Sequence, residues 1–231
     1  MQTGRKLELE EARTILEGLL KGLAHLARCR IIHRDLKPEN VMFRRAQGWE
    51  VAICDFGLAT YADEERYLFV RCGTPGFVAP EIINIRDMTT KSHPISDLFS
   101  AGVIFHHLLL GYSVFEGKKY NDILAQNRAC DFAFAKDPYT KLPPAAFDLL
   151  TRMLEKDPAR RISAETALAH SYFTGTELDQ EPKLFRELSN YSSPSHLKQK
   201  DLERTPSSLG QSLQGKAPFL EVRREQRQLR Y

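Results

Sequence analysis

The chain has 231 residues, 42% hydrophobic and 27% charged, a balance that excludes a fibrous or wholly disordered protein. Its net charge of +3 is too small to argue for nucleic acid or a membrane surface as partner, so neither is expected. The four cysteines, Cys29, Cys54, Cys72 and Cys130, form no C-x-x-C pair and have no histidine at metal-ligand spacing, which points to a reducing compartment.

No apolar run reaches the roughly 18 residues of a membrane-spanning helix, and the first residues are polar, unlike a secretory signal. The expected location is therefore intracellular, cytoplasmic or nuclear. Ile15, Leu16, Leu19, Leu20, Leu23 and Leu26 recur at helical spacing, with Glu10 and Glu11 in the first turn, and predict an amphipathic helix. Residues 31–40 read as a loop, because Pro38 stops a helix and polar residues crowd together. Residues 41–44 and 50–54 are short β-type runs around Gln47 and Gly48, which predicts a hairpin. Glycines and prolines from Gly57 to Pro94 make residues 55–95 mostly irregular.

Ser96 is expected to cap the next helix, which runs through Ala101, Ile104, Phe105 and Leu108 to a stop at Gly111. That helix is apolar nearly all round, so it should be buried. Further helices are predicted near 120–127, 144–154 and 164–169. Residues 1–174 are expected to form one folded domain. Residues 175–231, rich in Ser, Gln and charge, are expected to be a largely disordered tail.

Three motifs follow one another in fixed order: His33-Arg34-Asp35-Leu36-Lys37-Pro38-Glu39-Asn40; then Asp55-Phe56-Gly57 after a strand; then Gly73-Thr74-Pro75 leading to Ala79-Pro80-Glu81. Together they resemble the catalytic loop, the metal-binding loop and the end of the activation segment of eukaryotic serine/threonine protein kinases. Residues 55–59 and 72–81 are most similar to the calcium/calmodulin-dependent group. The resemblance covers roughly residues 7–173. The fold class expected is mainly α: a protein kinase-like C-terminal lobe with a small β-hairpin and the N-terminal lobe absent. The chain carries no glycine-rich G-x-G-x-x-G loop, no V-A-I-K-type lysine and no preceding helix with its paired glutamate. On that reading the chain alone should hold ATP weakly.

The resemblance implies ATP and Mg2+ as cofactors and protein Ser/Thr hydroxyls as acceptors. Phosphoryl transfer asks for positioned charge more than for covalent chemistry. Asp35 would orient the acceptor hydroxyl and take its proton, and Lys37 would neutralise the phosphate in flight. Asp55 and Asn40 would hold magnesium. Lys37 at this spacing looks like the serine/threonine class, and Thr74 resembles the threonine that bonds to Asp35 and Lys37. Glu81 looks like the partner of Arg161, and Asp97 like the buried carboxylate that anchors the backbone of His33 and Arg34. Met42 has two readings, the floor under adenine or plain core packing, and the hairpin should bury it either way. Phe99 stands where the family usually has Trp.

Several regulatory expectations follow from the same resemblance. Glu39 resembles the acidic residue that meets an upstream Arg in a substrate, the alternative being a loop glutamate in solvent. Arg34 usually needs an anion from the activation segment. No Ser or Thr lies between Tyr61 and Gly73, so Asp63, Glu64 and Glu65 are expected to supply fixed charge, with Tyr67 phosphorylation as the alternative. In the tail, Phe219, Leu220, Val222 and Leu229 alternate with Arg223, Arg224, Arg227 and Arg230, a pattern open to calmodulin binding or to plain disorder. A catalytically inert binding or regulatory lobe is the rival to an enzyme.

Overall fold

The structure, a computed structural model, describes residues 7–175. Helix α1 (Leu9–Arg28) opens on a capping box in which the Glu11 carboxylate accepts from the Glu8 N–H at 2.9 Å. Its apolar face is fully buried at Ile15, Leu16, Leu19 and Leu20. Each such side chain contributes about 1.5–3 kcal/mol relative to leaving it in water.

Strand β1 (Ile31–Ile32) follows, then a 3-10 turn (Pro38–Asn40), then the hairpin of β2 (Val41–Phe43) and β3 (Val51–Ile53). The hairpin is antiparallel, with Met42 opposite Ala52. It lies directly on α1 because Gly18 and Gly22, one helical turn apart, have no side chains. A methyl group at Gly18 would sit 3.0 Å from the Val51 side chain, and one at Gly22 would sit 2.9 Å from Ile53. These two glycines therefore set how close the strand leading into Asp55 approaches the core.

Strand β4 (Thr60–Tyr61) pairs antiparallel with β1, Ile32 opposite Thr60. Sequence reading placed residues 31–32 in a loop; a two-residue strand is too short to show a period.

The remaining elements are α2 (Pro80–Ile83), α3 (Ile95–Leu110), α4 (Tyr120–Ala129), a second 3-10 turn (Tyr139–Lys141), α5 (Pro144–Met153), α6 (Ala164–Leu168) and α7 (Ser171–Thr174). Helix α3 is buried along almost its whole length, as its all-round apolar character predicted. It ends where expected, with Gly111 in the left-handed region at φ 81°. Its start differs from expectation. Pro94 occupies the cap position and Ser96 lies inside the first turn, its hydroxyl donating to the His93 carbonyl at 2.7 Å. Proline's fixed φ seeds the helix two residues earlier than a serine cap would.

Helix α1 packs against α3 and α6, α3 against α5, and α2 against α4. The four cysteines are free thiols. No described helix is long and apolar enough to cross a membrane. The polar segment 176–231, with its expected disorder and its calmodulin-type pattern, lies outside the described residues.

Candidate active site

The buried carboxylate of Asp97, on α3, organises the loop between β1 and β2. It accepts from the backbone N–H of His33 at 2.7 Å and of Arg34 at 3.0 Å. Burial pushes the Asp97 carboxyl above its ordinary value, while those two N–H bonds and the nearby His33 and Arg34 charges pull the other way. Arg34 takes a left-handed φ of 70°. A non-glycine residue there costs about 1 kcal/mol or more, so the Asp97 bonds hold a turn the chain would otherwise relax. His33 is fully buried, its Nε2 is 3.0 Å from the Cys54 carbonyl, and its ring meets Phe56 edge-on at 5.0 Å.

On this frame stands a closed polar triangle. Lys37 Nζ donates to Asp35 Oδ2 at 2.8 Å and to Thr74 Oγ1 at 3.0 Å, while Thr74 Oγ1 donates to Asp35 Oδ1 at 2.6 Å. The Lys37 and Asp35 side chains are only 10% and 14% exposed, so their attraction is screened far less than that of a surface pair. Asn40 is buried and donates from Nδ2 to the Asp35 carbonyl at 2.8 Å, which turns its Oδ1 away from that bond. Its own carbonyl accepts from Cys54 N at 2.9 Å, tying the loop to the end of β3.

The neighbouring face is open. Asp55 is exposed with φ 60°, and its Oδ1 accepts from Gly57 N at 3.3 Å. Phe56 is 46% exposed and Met42 58%. The burial expected for Met42 is therefore corrected. Val41 is buried and Phe43 packs against the core, and strict alternation sends Met42, like its partner Ala52, to the other face. Glu39 is exposed in the 3-10 turn.

Glu81, in α2, makes a bidentate pair with Arg161 at 2.6 and 2.9 Å, and the Arg161 side chain is fully buried. The guanidinium lies 5.2 Å over the Phe99 ring. An aromatic face is what that cation requires, and phenylalanine supplies one.

The acidic run expected to face Arg34 does not reach it. The backbone N–H of Ala62 bonds to the Arg30 carbonyl at 2.7 Å, which puts Asp63 beside Arg30, 3.6 Å from its Nε. Arg34 is instead stacked on Tyr67, 5.0 Å from the ring centroid, with Lys91 Nζ 5.1 Å from the same ring. Arg34 Nη2 is buried without a hydrogen-bond partner. The sequence offers Tyr67 only as an alternative phosphorylation site, and nothing in it marks the stacking on Arg34. Asn127 on α4, whose amide bonds to the backbone just after Thr74, carries no signal in the sequence.

A profile of the protein kinase domain matches residues 1–173. The chain belongs to the protein kinase family. Similar curated proteins include a titin homolog of Caenorhabditis elegans, 35% identical over 79% of this chain and 1% of the relative. A probable myosin light chain kinase of Dictyostelium discoideum is 32% identical over 71% of this chain and 52% of the relative. The liver/testis phosphorylase b kinase gamma catalytic chain of Bos taurus is 32% identical over 75% and 43%. The chain thus spans about half or less of the length of these relatives. The kinase names agree with the resemblance to the calcium/calmodulin-dependent group.

Proposed function

We propose that this kinase-family chain carries the acceptor side of a protein serine/threonine kinase, which transfers the γ-phosphate of ATP to a Ser or Thr hydroxyl. The observation that carries this reading is the Asp35 carboxylate, held between Lys37 and Thr74 at 2.8 and 2.6 Å. A carboxylate fixed on both oxygens can orient an incoming hydroxyl and accept its proton late in the reaction. The acceptor oxygen bonds to phosphorus, the bond from that phosphorus to the ADP oxygen breaks, and the proton passes to Asp35. Lys37 offsets the negative charge on the phosphoryl group as it moves.

Asp55 and Asn40 fit magnesium. One is a solvent-facing carboxylate and the other an amide whose nitrogen is committed to the Asp35 carbonyl, leaving its oxygen as donor. A hard cation that keeps several waters needs few protein oxygens and bridges to phosphate. Bound there, magnesium would neutralise charge on the nucleotide phosphates.

The test is phosphate incorporation into a generic protein substrate, measured in a context that binds Mg-ATP. Asp35→Asn and Asp55→Asn should each lower it by about 100-fold or more while the fold stays intact. Near-normal turnover in either variant would end the assignment. Glu39 is proposed to meet an Arg upstream of the acceptor; a peptide array in which Glu39→Ala keeps the same preference would refute that. A calmodulin site in residues 215–231 is proposed on the Arg-apolar pattern alone, and a peptide that ignores calcium-loaded calmodulin at micromolar concentration removes it.

The second reading, a lobe that binds without transferring phosphate, draws on the exposure of Met42, Phe56 and Asp55. Contacts made in open water are screened, so the 231-residue chain by itself is expected to bind Mg-ATP weakly. Calorimetric titration decides between the two readings: tight binding with transfer favours the enzyme reading for this chain alone.

A further inference from the structure

Helix α4 is mostly exposed, and the only residue it buries completely is polar: Asn127, with no accessible surface. A buried amide is costly unless its groups are matched. Here Oδ1 accepts from the backbone N–H of Gly76 at 3.0 Å and Nδ2 donates to the carbonyl of Val78 at 2.9 Å. The carbonyl of Asn127 itself accepts from the Cys130 thiol at 3.0 Å. The residues it grips form the turn that seats Thr74. Phe77 N and Val78 N both donate to the Thr74 carbonyl at 3.0 Å, and Ser100 Oγ adds a strut to the Phe77 carbonyl at 2.8 Å. Gly76 accepts this geometry because its φ is 87°, which a side chain would resist.

We propose that Asn127 is a positioning residue that locks α4 to the turn 74–79, so that the seat of α4 sets the seat of Thr74 and, through it, of Asp35. The link runs over consecutive bonds: Asn127 to Gly76 and Val78, Val78 to the Thr74 carbonyl, and the Thr74 hydroxyl to Asp35 at 2.6 Å. An apolar anchor would tolerate sliding by a fraction of a residue. Two directional bonds to an amide donor and a carbonyl two residues apart do not.

Amide hydrogen exchange on the full chain tests the clamp and needs no phosphoryl transfer. Its failure is therefore separate from failure of the kinase reading on which the link to Asp35 rests. Asn127→Ala should speed exchange at residues 76–79 and along α4 by about tenfold, with α1 and α3 unchanged. Asn127→Asp should behave as a switch. At about pH 5 a buried protonated carboxyl donates to Val78 and restores protection; at about pH 8 the carboxylate faces that carbonyl and protection is lost. The unmodified chain, corrected for intrinsic exchange, should show no such switch. Unchanged exchange at 76–79 in Asn127→Ala, or a pH-independent Asn127→Asp, would overturn the proposal. If neither variant folds, the unmodified chain decides: a Gly76 amide as slow as those of Phe77 and Val78 supports the clamp, and one exchanging at open-loop rate removes it. In a preparation that transfers phosphate, Asn127→Ala should lower kcat about tenfold at constant KM for ATP. An unchanged kcat with loosened exchange would sever the link to Thr74.

Discussion

The two sides of the candidate site are built differently. On the proposed acceptor side, Asp35, Lys37 and Thr74 satisfy one another, Asp97 anchors the loop from beneath, and Asn127 grips the following turn. On the side proposed for the nucleotide, Asp55 is exposed and Met42 and Phe56 present apolar surface to water. The first side is organised by this chain's own bonds before any ligand arrives. The second has residues in place but little in the described structure to cover them. Preorganisation thus belongs to the groups proposed to handle the proton, and complementarity on the face proposed for the nucleotide has to come from whatever binds there.

The largest effect is expected at the buried Glu81–Arg161 pair. Glu81→Ala leaves the fully buried Arg161 guanidinium without its carboxylate, and a loss of about 3–5 kcal/mol is expected in urea unfolding. A loss under about 1 kcal/mol would mean that the Phe99 ring and the backbone carbonyls hold Arg161 unaided.

Acid bypasses both sides. His106 is fully buried, its Nδ1 near the Tyr112 carbonyl and its Nε2 near the Tyr139 hydroxyl, and burial pushes its pKa down to about 4 from 6.5. The unfolded chain binds the proton first, so this contribution to stability is complete above pH 6.5 and is lost as pH falls towards 4. The loss should approach about 3 kcal/mol. Urea unfolding at a series of pH values checks it, and a flat profile between neutral pH and 5 would contradict it.

Smaller effects separate the two sides directly. Thr74→Val removes one hydroxyl from the triangle and should cost about 1 kcal/mol, read as a shift in the urea midpoint. Met42→Gln on the open side should change stability by less than about 0.5 kcal/mol, because the side chain is already in water. A cost of 2 kcal/mol or more would mean that Met42 is core after all.

The fold was largely legible where long periodic segments carry it. The apolar stripe of α1, the all-round apolar α3 and the glycine stop at Gly111 each follow from spacing. Legibility failed where a short or directional effect decides. The β1–β4 pair is two residues long on each side. Ser96 looked like a cap because serine caps are common, yet the fixed φ of Pro94 started the helix first. Met42 was expected to be buried because hairpins cover a core, but a two-faced hairpin covers it with alternate residues only.

The residues gathered around Asp35 stood in ordered motifs and could be named beforehand. Asn127 could not. It sits in a helix without an apolar face, and nothing in the neighbouring residues marks a buried amide. Asp63 was placed wrongly because the fixed-charge reading ignored the β4 pairing that carries it to Arg30.

Trp49 is the only tryptophan in the chain, and it stands at the hairpin turn with its ring edge-on to Phe43 at 5.6 Å. Phe43 is the residue next to Met42, on the opposite face of the same strand. The chain therefore carries a single tryptophan, set in the hairpin whose strand bears Met42. Its emission reports through that ring contact on the state of the hairpin, so a change there on ligand binding can be followed optically, without a label.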